Sequence, residues 1–230
     1  MKQLVSSVII SLILIPFAAQ GAKYLPKLTA DNSGKKIAVV SISANNFGNS
    51  INGWNDANST DLMTSHLNEM LEFTEKTFSA GWEVVPASSF ASTSEFITFA
   101  GEQRDVGAPM FDGIYMPLFS KNRKQLVKAT LDQDVAKGLI GVTGADFLLV
   151  VYSEWTTKTG GFIPTTKPLT KNVISVFDNE GKQVYKGRID KMGPKTLGAF
   201  NAVFVDEDTI DYWVGTFKDS LAAMYAGRKK

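Results

Sequence analysis

The sequence predicts an α/β fold: a single domain whose mixed central sheet of about five strands has helices packed on it and ends in a C-terminal helix. Three observations predict it. Phe147 to Tyr152 (FLLVVY) is unbroken in apolar or aromatic character. In a strand, Phe147, Leu149 and Val151 point one way and Leu148, Val150 and Tyr152 the other, so both faces are dry and the strand is central. Ile37 to Ile42 (IAVVSI) is a second, nearly continuous run of the same kind. Between and after these runs, apolar residues recur at helical spacing: Met63, Leu67, Met70, Leu71 and Phe78, then Val135, Ala136, Leu139 and Ile140, then Ile210, Trp213, Val214, Phe217, Leu221 and Met224.

The elements follow in order. Tyr24 to Gly34 is polar and reads as an irregular lead-in. After the first strand, Asn45 to Asp61 is Asn- and Gly-rich and forms a loop, because both residues tolerate left-handed backbone. Ser59, Thr60 or Asp61 caps the first helix and Gly81 ends it. Trp82 to Val85 is a short strand stopped by Pro86. Ala87 to Phe119 is broken by Gly and Pro, with one short helix between Ser94 and Gln103. Asp132 caps the next helix, which delivers the chain through Gly144 into the central strand. Thr156 to Asn172 reads as a long loop. Val173–Phe177 and Gln183–Ile189 flank Asp178-Asn179-Glu180-Gly181 and form a hairpin. The last helix runs from about Asp206 to Ala226, with Val205 and Ile210 at staple positions.

Lys2, the apolar segment Leu4–Phe17 and the small residues Ala18 to Ala22 form a secretory signal peptide, residues 1–21. Cleavage falls after Gly21, with Ala19 and Ala22 as alternatives. Residues 22–34 are the lead-in and 35–230 the single domain. The chain has no cysteine, which excludes lipid acylation, disulfides, thiolate metal sites and a Cys nucleophile. The balanced charge, +1, gives no case for nucleic acid. No run after the signal is long enough to span a bilayer. These features place the protein in the periplasm or outside the cell.

Strand KKIAVVSI and the later GADFLLVV, in the order strand, helix, strand, irregular segment, helix, strand, hairpin strand, helix, resemble the periplasmic α/β domain of the curli-secretion-channel group. The N-terminal domain of the Tol-system propeller protein is similar, as is the lipoprotein activator of a penicillin-binding protein. The resemblance covers the element order from Lys35 to Ala226. It implies a module that binds envelope proteins and does not catalyse.

No constellation of catalytic residues emerges from the chain. His66 is the only histidine, so zinc lacks a second nitrogen and any Ser-His-Asp triad must use it. Gly138, Gly141 and Gly144 precede a strand, whereas a phosphate-cradling loop follows one. Asp206, Glu207, Asp208 and Asp211 suit a helix start. No cofactor is expected. The function read from the sequence is a non-catalytic interaction or assembly module of the bacterial envelope, with envelope proteins as partners. The alternative is an exported hydrolase with paired carboxylates at the sheet's C-terminal edge, drawn from Glu83, Asp146 and Glu154. The candidate contact residues are Trp54, Phe96, Phe99, Phe111 and Tyr115, because aromatics crowd a segment too broken for an ordinary core helix. The loop lysines Lys158, Lys167 and Lys171 read as solvated, with polyanions such as glycans or lipid phosphates as the other use.

Overall fold

The computed structural model describes residues 32–46, 51, 57–103, 111–112, 119–160, 164–199 and 206–226. Strand β1 (Asn32–Asn45) leads into α1 (Ala57–Phe78) and then β2 (Trp82–Val85). A short 3-10 turn, α2 (Ser94–Gln103), β3 (Phe111–Asp112), α3 (Arg123–Leu126) and α4 (Gln133–Thr143) come next. Strands β4 (Phe147–Gly160), β5 (Thr165–Phe177), β6 (Gln183–Met192) and β7 (Gly198–Ala199) and helix α5 (Ile210–Tyr225) complete the chain. The sheet order is β2-β1-β4-β5-β6, with β3 on β1 and β7 on β5. β1 runs parallel to β2 and β4, and β4, β5 and β6 are antiparallel in turn. This is the expected α/β domain with a mixed five-stranded sheet and a C-terminal helix.

β2 and β4 flank β1 on opposite sides, so right-handed crossovers place their helices on opposite faces. α1 and α5 share one face. There Trp155 of β4 stacks on Trp213 of α5 at 6.1 Å, and Phe78 of α1 meets the edge of Tyr225 at 5.3 Å. α4 packs on β4, with α2 against it. Leu148, Val150 and Tyr152 are as buried as Leu149 and Val151 opposite, so β4 is dry on both faces as its sequence required. Each such side chain contributes roughly 1.5–3 kcal/mol by leaving water.

Small polar devices set the register. Asp146 accepts the Lys36 backbone N–H at 2.9 Å and its own N–H donates to the Lys36 carbonyl at 3.0 Å, which pins the starts of β1 and β4 together. Gly144 takes left-handed backbone, φ 65°, and closes α4 by donating to the Ile140 carbonyl. Gly181 does the same in the β5–β6 turn, φ 73°, where Asp178 accepts from the Glu180 and Lys182 amides.

Several expectations need correction. β1 begins at Asn32, inside the segment read as lead-in, and α1 begins at Ala57, ahead of the expected caps; Asn, Ser and Thr are tolerated within a first turn. Asp132 occupies the cap position, yet its carboxylate takes Gln125 Nε2 at 2.7 Å and Lys121 Nζ at 2.6 Å and leaves the helix amides alone. Asp206 organises a turn through the Asp208 and Thr209 amides, and the helix starts only at Ile210. The largest change is Thr156 to Asn172, which is the distal part of one long β4–β5 hairpin. Threonine's branched Cβ favours strand. Pro168 is tolerated because its edge faces the gap between β6 and β7, where its carbonyl accepts from Gly193 and no ladder N–H is missed. Residues 1–31, with the segment expected to be a signal peptide, lie outside the described residues.

Candidate functional site

Two parts of the described molecule bear on the expected contact surface. At α2, Phe96 lies between Phe90 (5.0 Å) and Phe119 (5.6 Å) and is wholly buried. That corrects its place among exposed contacts: the cluster glues α2 to the body. Phe99 is half-buried and lies over Gly138, where even a methyl group would meet its ring at 2.5 Å. Ile97, on the outer side, is 58% exposed. The Phe111 backbone pairs with Ala44 through β3. Trp54 and Tyr115 lie outside the described residues, so the five are not seen assembled.

The carboxylates weighed for hydrolysis do not come together. Asp146 and Glu154 sit eight residues apart along β4, roughly 26 Å at strand rise, against the 5–10 Å that glycoside chemistry uses. Glu83 pairs with Lys36 at 3.8 Å, near the Asp146 end and away from the sheet's C-terminal edge. Glu154 receives Lys171 Nζ at 2.7 Å on one oxygen and the Tyr152 hydroxyl at 3.4 Å on the other. Burial first, and the Glu154 charge second, push the Tyr152 phenol far above its ordinary pKa, so it stays a neutral donor.

His66 Nδ1–H donates to the Leu62 carbonyl at 2.8 Å, and Nε2 turns toward Asp211 at 3.4 Å. With Glu69 these groups bring one nitrogen and two oxygens within 4.8 Å of one another. Glu69 is also paired with Lys218. The cluster therefore reads as an electrostatic clasp between α1 and α5.

The second part is the distal β4–β5 hairpin, which we call the arm. Beyond Glu154, which pairs with Asn45 at the end of β1, β4 keeps only β5 as a described partner. The inward row of β5, Thr166, Pro168, Thr170 and Asn172, is buried. Behind it Asn172 accepts from Ser153 Oγ at 2.6 Å and donates to Thr170 Oγ1 at 2.8 Å, while Trp155 Nε1 donates to Ser153 Oγ at 2.9 Å. Trp213 Nε1 caps the Thr156 carbonyl at 2.8 Å. The arm is therefore held stiffly on α5.

Its other row faces outward. Lys158 and Lys167 are directly opposed across the strands, and Met192 lies beside them, 44% exposed, with Gly160 and Thr165 completing a shallow groove. Among the described residues no carboxylate pairs with either lysine. Two rows inward on the same face, past Thr156 and Leu169, Lys171 is answered by Glu154; Arg188 is answered by Asp190 at 2.9 Å. Further along, burial and then the charge of Lys128 push the Lys186 pKa down. The sequence marks Lys158 and Lys167 as loop lysines but does not pair them, because opposition across a ladder needs the register. The period-two alternation of Thr165 to Asn172 was the available signal.

The molecule belongs to the class of α/β domains with a mixed sheet. No family model matches the chain, and no curated protein matches it. Among solved structures it is similar to lipoprotein GNA1162 of Neisseria meningitidis, 15% identical over 84% of this chain and 99% of that one, TM-score 0.35. It is likewise similar to hypothetical protein CT253 of Chlamydia trachomatis (13% identity, 84% and 90% covered, TM-score 0.35) and to a homolog of a neuraminyllactose-binding hemagglutinin from Helicobacter pylori (9%, 89% and 88%, 0.36). Likeness at these TM-scores carries no functional argument. The resemblance to the curli-channel group and the Tol protein rests on the sequence alone.

Proposed function

We propose that this protein is an exported, non-catalytic interaction module of the bacterial cell envelope that meets its partner through the β4–β5 arm. The observation that supports this is the arm itself. It runs past the end of β1, is braced by a buried polar network, and turns outward an exposed methionine and a lysine couple that no carboxylate pairs with among the described residues. A core has no need of such a projection. Export is supported by the basic, apolar and small-residue sequence of the first 22 positions. Of the carboxylates weighed for hydrolysis, Glu154 is engaged by Lys171 and Tyr152, Asp146 by the Lys36 amide and Glu83 by Lys36, and these three do not form a pair at the C-terminal edge.

The test is expression of the whole chain with a C-terminal tag in a Gram-negative cell, followed by formaldehyde cross-linking, fractionation and N-terminal sequencing. We expect a mature N-terminus near residue 22 and higher-mass adducts in the envelope fraction. Protein that keeps Lys2 and runs only as a monomer would overturn the reading.

A further inference from the structure

We propose that the outward face of the arm, Lys158, Lys167 and Met192, is a docking site for an anionic phospholipid surface. The inference rests on the interaction-module reading above and names the partner's chemistry.

Three observations carry it. Lys158 and Lys167 are directly opposed in the ladder, which brings their Cβ atoms to about 5 Å and places like charges side by side. Such a pair destabilises a hairpin unless an anion lies between the ammonium groups. No carboxylate among the described residues does so, although the neighbouring cations Lys171 and Arg188 each have one. The chain as a whole is near neutral, +1, so the excess here is local.

The second observation is apolar. Met192 is one of two large hydrophobic residues that stand exposed in the described structure, and it stands on the same face, in the groove with the lysines. Leu169, directly opposite Met192 on β5, extends the apolar row. Ammonium groups beside a flexible thioether suit phosphate headgroups and the first acyl carbons beneath them. A soluble polyanion would use the lysines and leave the methionine idle.

The third is mechanical. The opposite row of the arm is tied to α5 through Thr170 with Ser220 and through Trp213 with the Thr156 carbonyl, so the backbone that carries the outward row is held in place.

The experiment is co-flotation of the mature chain with vesicles of phosphatidylglycerol and phosphatidylcholine, compared with pure phosphatidylcholine, and in parallel with soluble inorganic polyphosphate. Binding to the anionic vesicles is expected, falling with salt. Near an anionic surface each lysine is worth about 1 kcal/mol, roughly fivefold. Lys158→Gln/Lys167→Gln should therefore weaken binding by an order of magnitude or more, and Lys76→Gln/Lys137→Gln, which removes the same charge from α1 and α4, should not. Met192→Ser should weaken vesicle binding and leave polyphosphate binding unchanged. Removing the repulsion should keep or raise the melting temperature. Should the double variant fold poorly, Lys158→Glu, which pairs with Lys167, must fold and still lose the vesicles. Vesicle binding equal in the arm and control variants, or insensitive to Met192, overturns the proposal. So does absence of binding; if the arm nonetheless cross-links to an envelope protein in cells, the proposed function stands and only the lipid partner falls.

Discussion

Asn172 marks the point where the arm leaves the core, and its amide is used at both ends. It accepts from Ser153 and donates to Thr170, and Ser153 in turn accepts from Trp155. Replacing it with alanine leaves two buried hydroxyls short of a partner, which costs about 1–3 kcal/mol for each group left unsatisfied. Chemical denaturation of Asn172→Ala should show that loss with little change in slope; an unchanged midpoint would mean the network does not brace the arm. Glu75 makes the opposite point. Burial raises its pKa, the bond from the Ala87 amide at 2.7 Å lowers it, and Glu72 adds to the rise. A raised folded pKa means that the contribution to stability is complete below the ordinary value of 4.5 and is lost as pH rises through the folded value. Glu75→Gln keeps an acceptor for Ala87 and never ionises. It should be more stable than the wild type at pH 7, and the advantage should vanish in melts below that ordinary value.

At the scale of elements, two glycines separate conformation from space. Gly144 and Gly181 both have positive φ, but a Cβ at Gly144 meets nothing, whereas one at Gly181 would sit 2.3 Å from the Gln133 carbonyl oxygen. Gly144→Ala should cost only the left-handed strain, about 1–2 kcal/mol. Gly181→Ala should cost more, because the β5–β6 turn must also move away from α4. Equal losses in a melting comparison would show that the turn is free to shift. The elements that the sequence made legible were those whose burial pattern is one-dimensional: the dry run Phe147–Tyr152, the helix between Ser94 and Gln103, the Gly-ended hairpin turn. The arm was not legible. Its inward row is Thr, Pro and Asn, polar residues that are buried only because α5 lies over them. Its outward row sets a single Leu169 between Lys167 and Lys171, so neither face shows the apolar signature of a strand. Asp132 and Asp206 were placed near the right positions with the wrong partners, because the groups that engage them, Lys121 and Thr209, are set by tertiary path and turn geometry.

For the molecule as a whole, β1 and β4 form the parallel centre and everything else is added around them. Val150 is at that centre, almost fully buried on the face covered by α2 and α4. An unpaired carboxylate there costs several kcal/mol against a total of roughly 5–15, so Val150→Asp should not fold, as judged by loss of the cooperative thermal transition. The same topology buries the inward row of the arm under α5 and leaves its outward row to meet something else. Photo-cross-linking in living cells tests this most directly, with a benzoylphenylalanine placed singly at Thr165 in the groove of the arm, at Ile97 on α2 and at Lys137 on α4. An envelope cross-link at Thr165 that is absent at Lys137 and weak at Ile97 is the predicted result. Cross-links centred on Ile97 with none at Thr165 would contradict it and return the contact surface to the aromatic segment around α2.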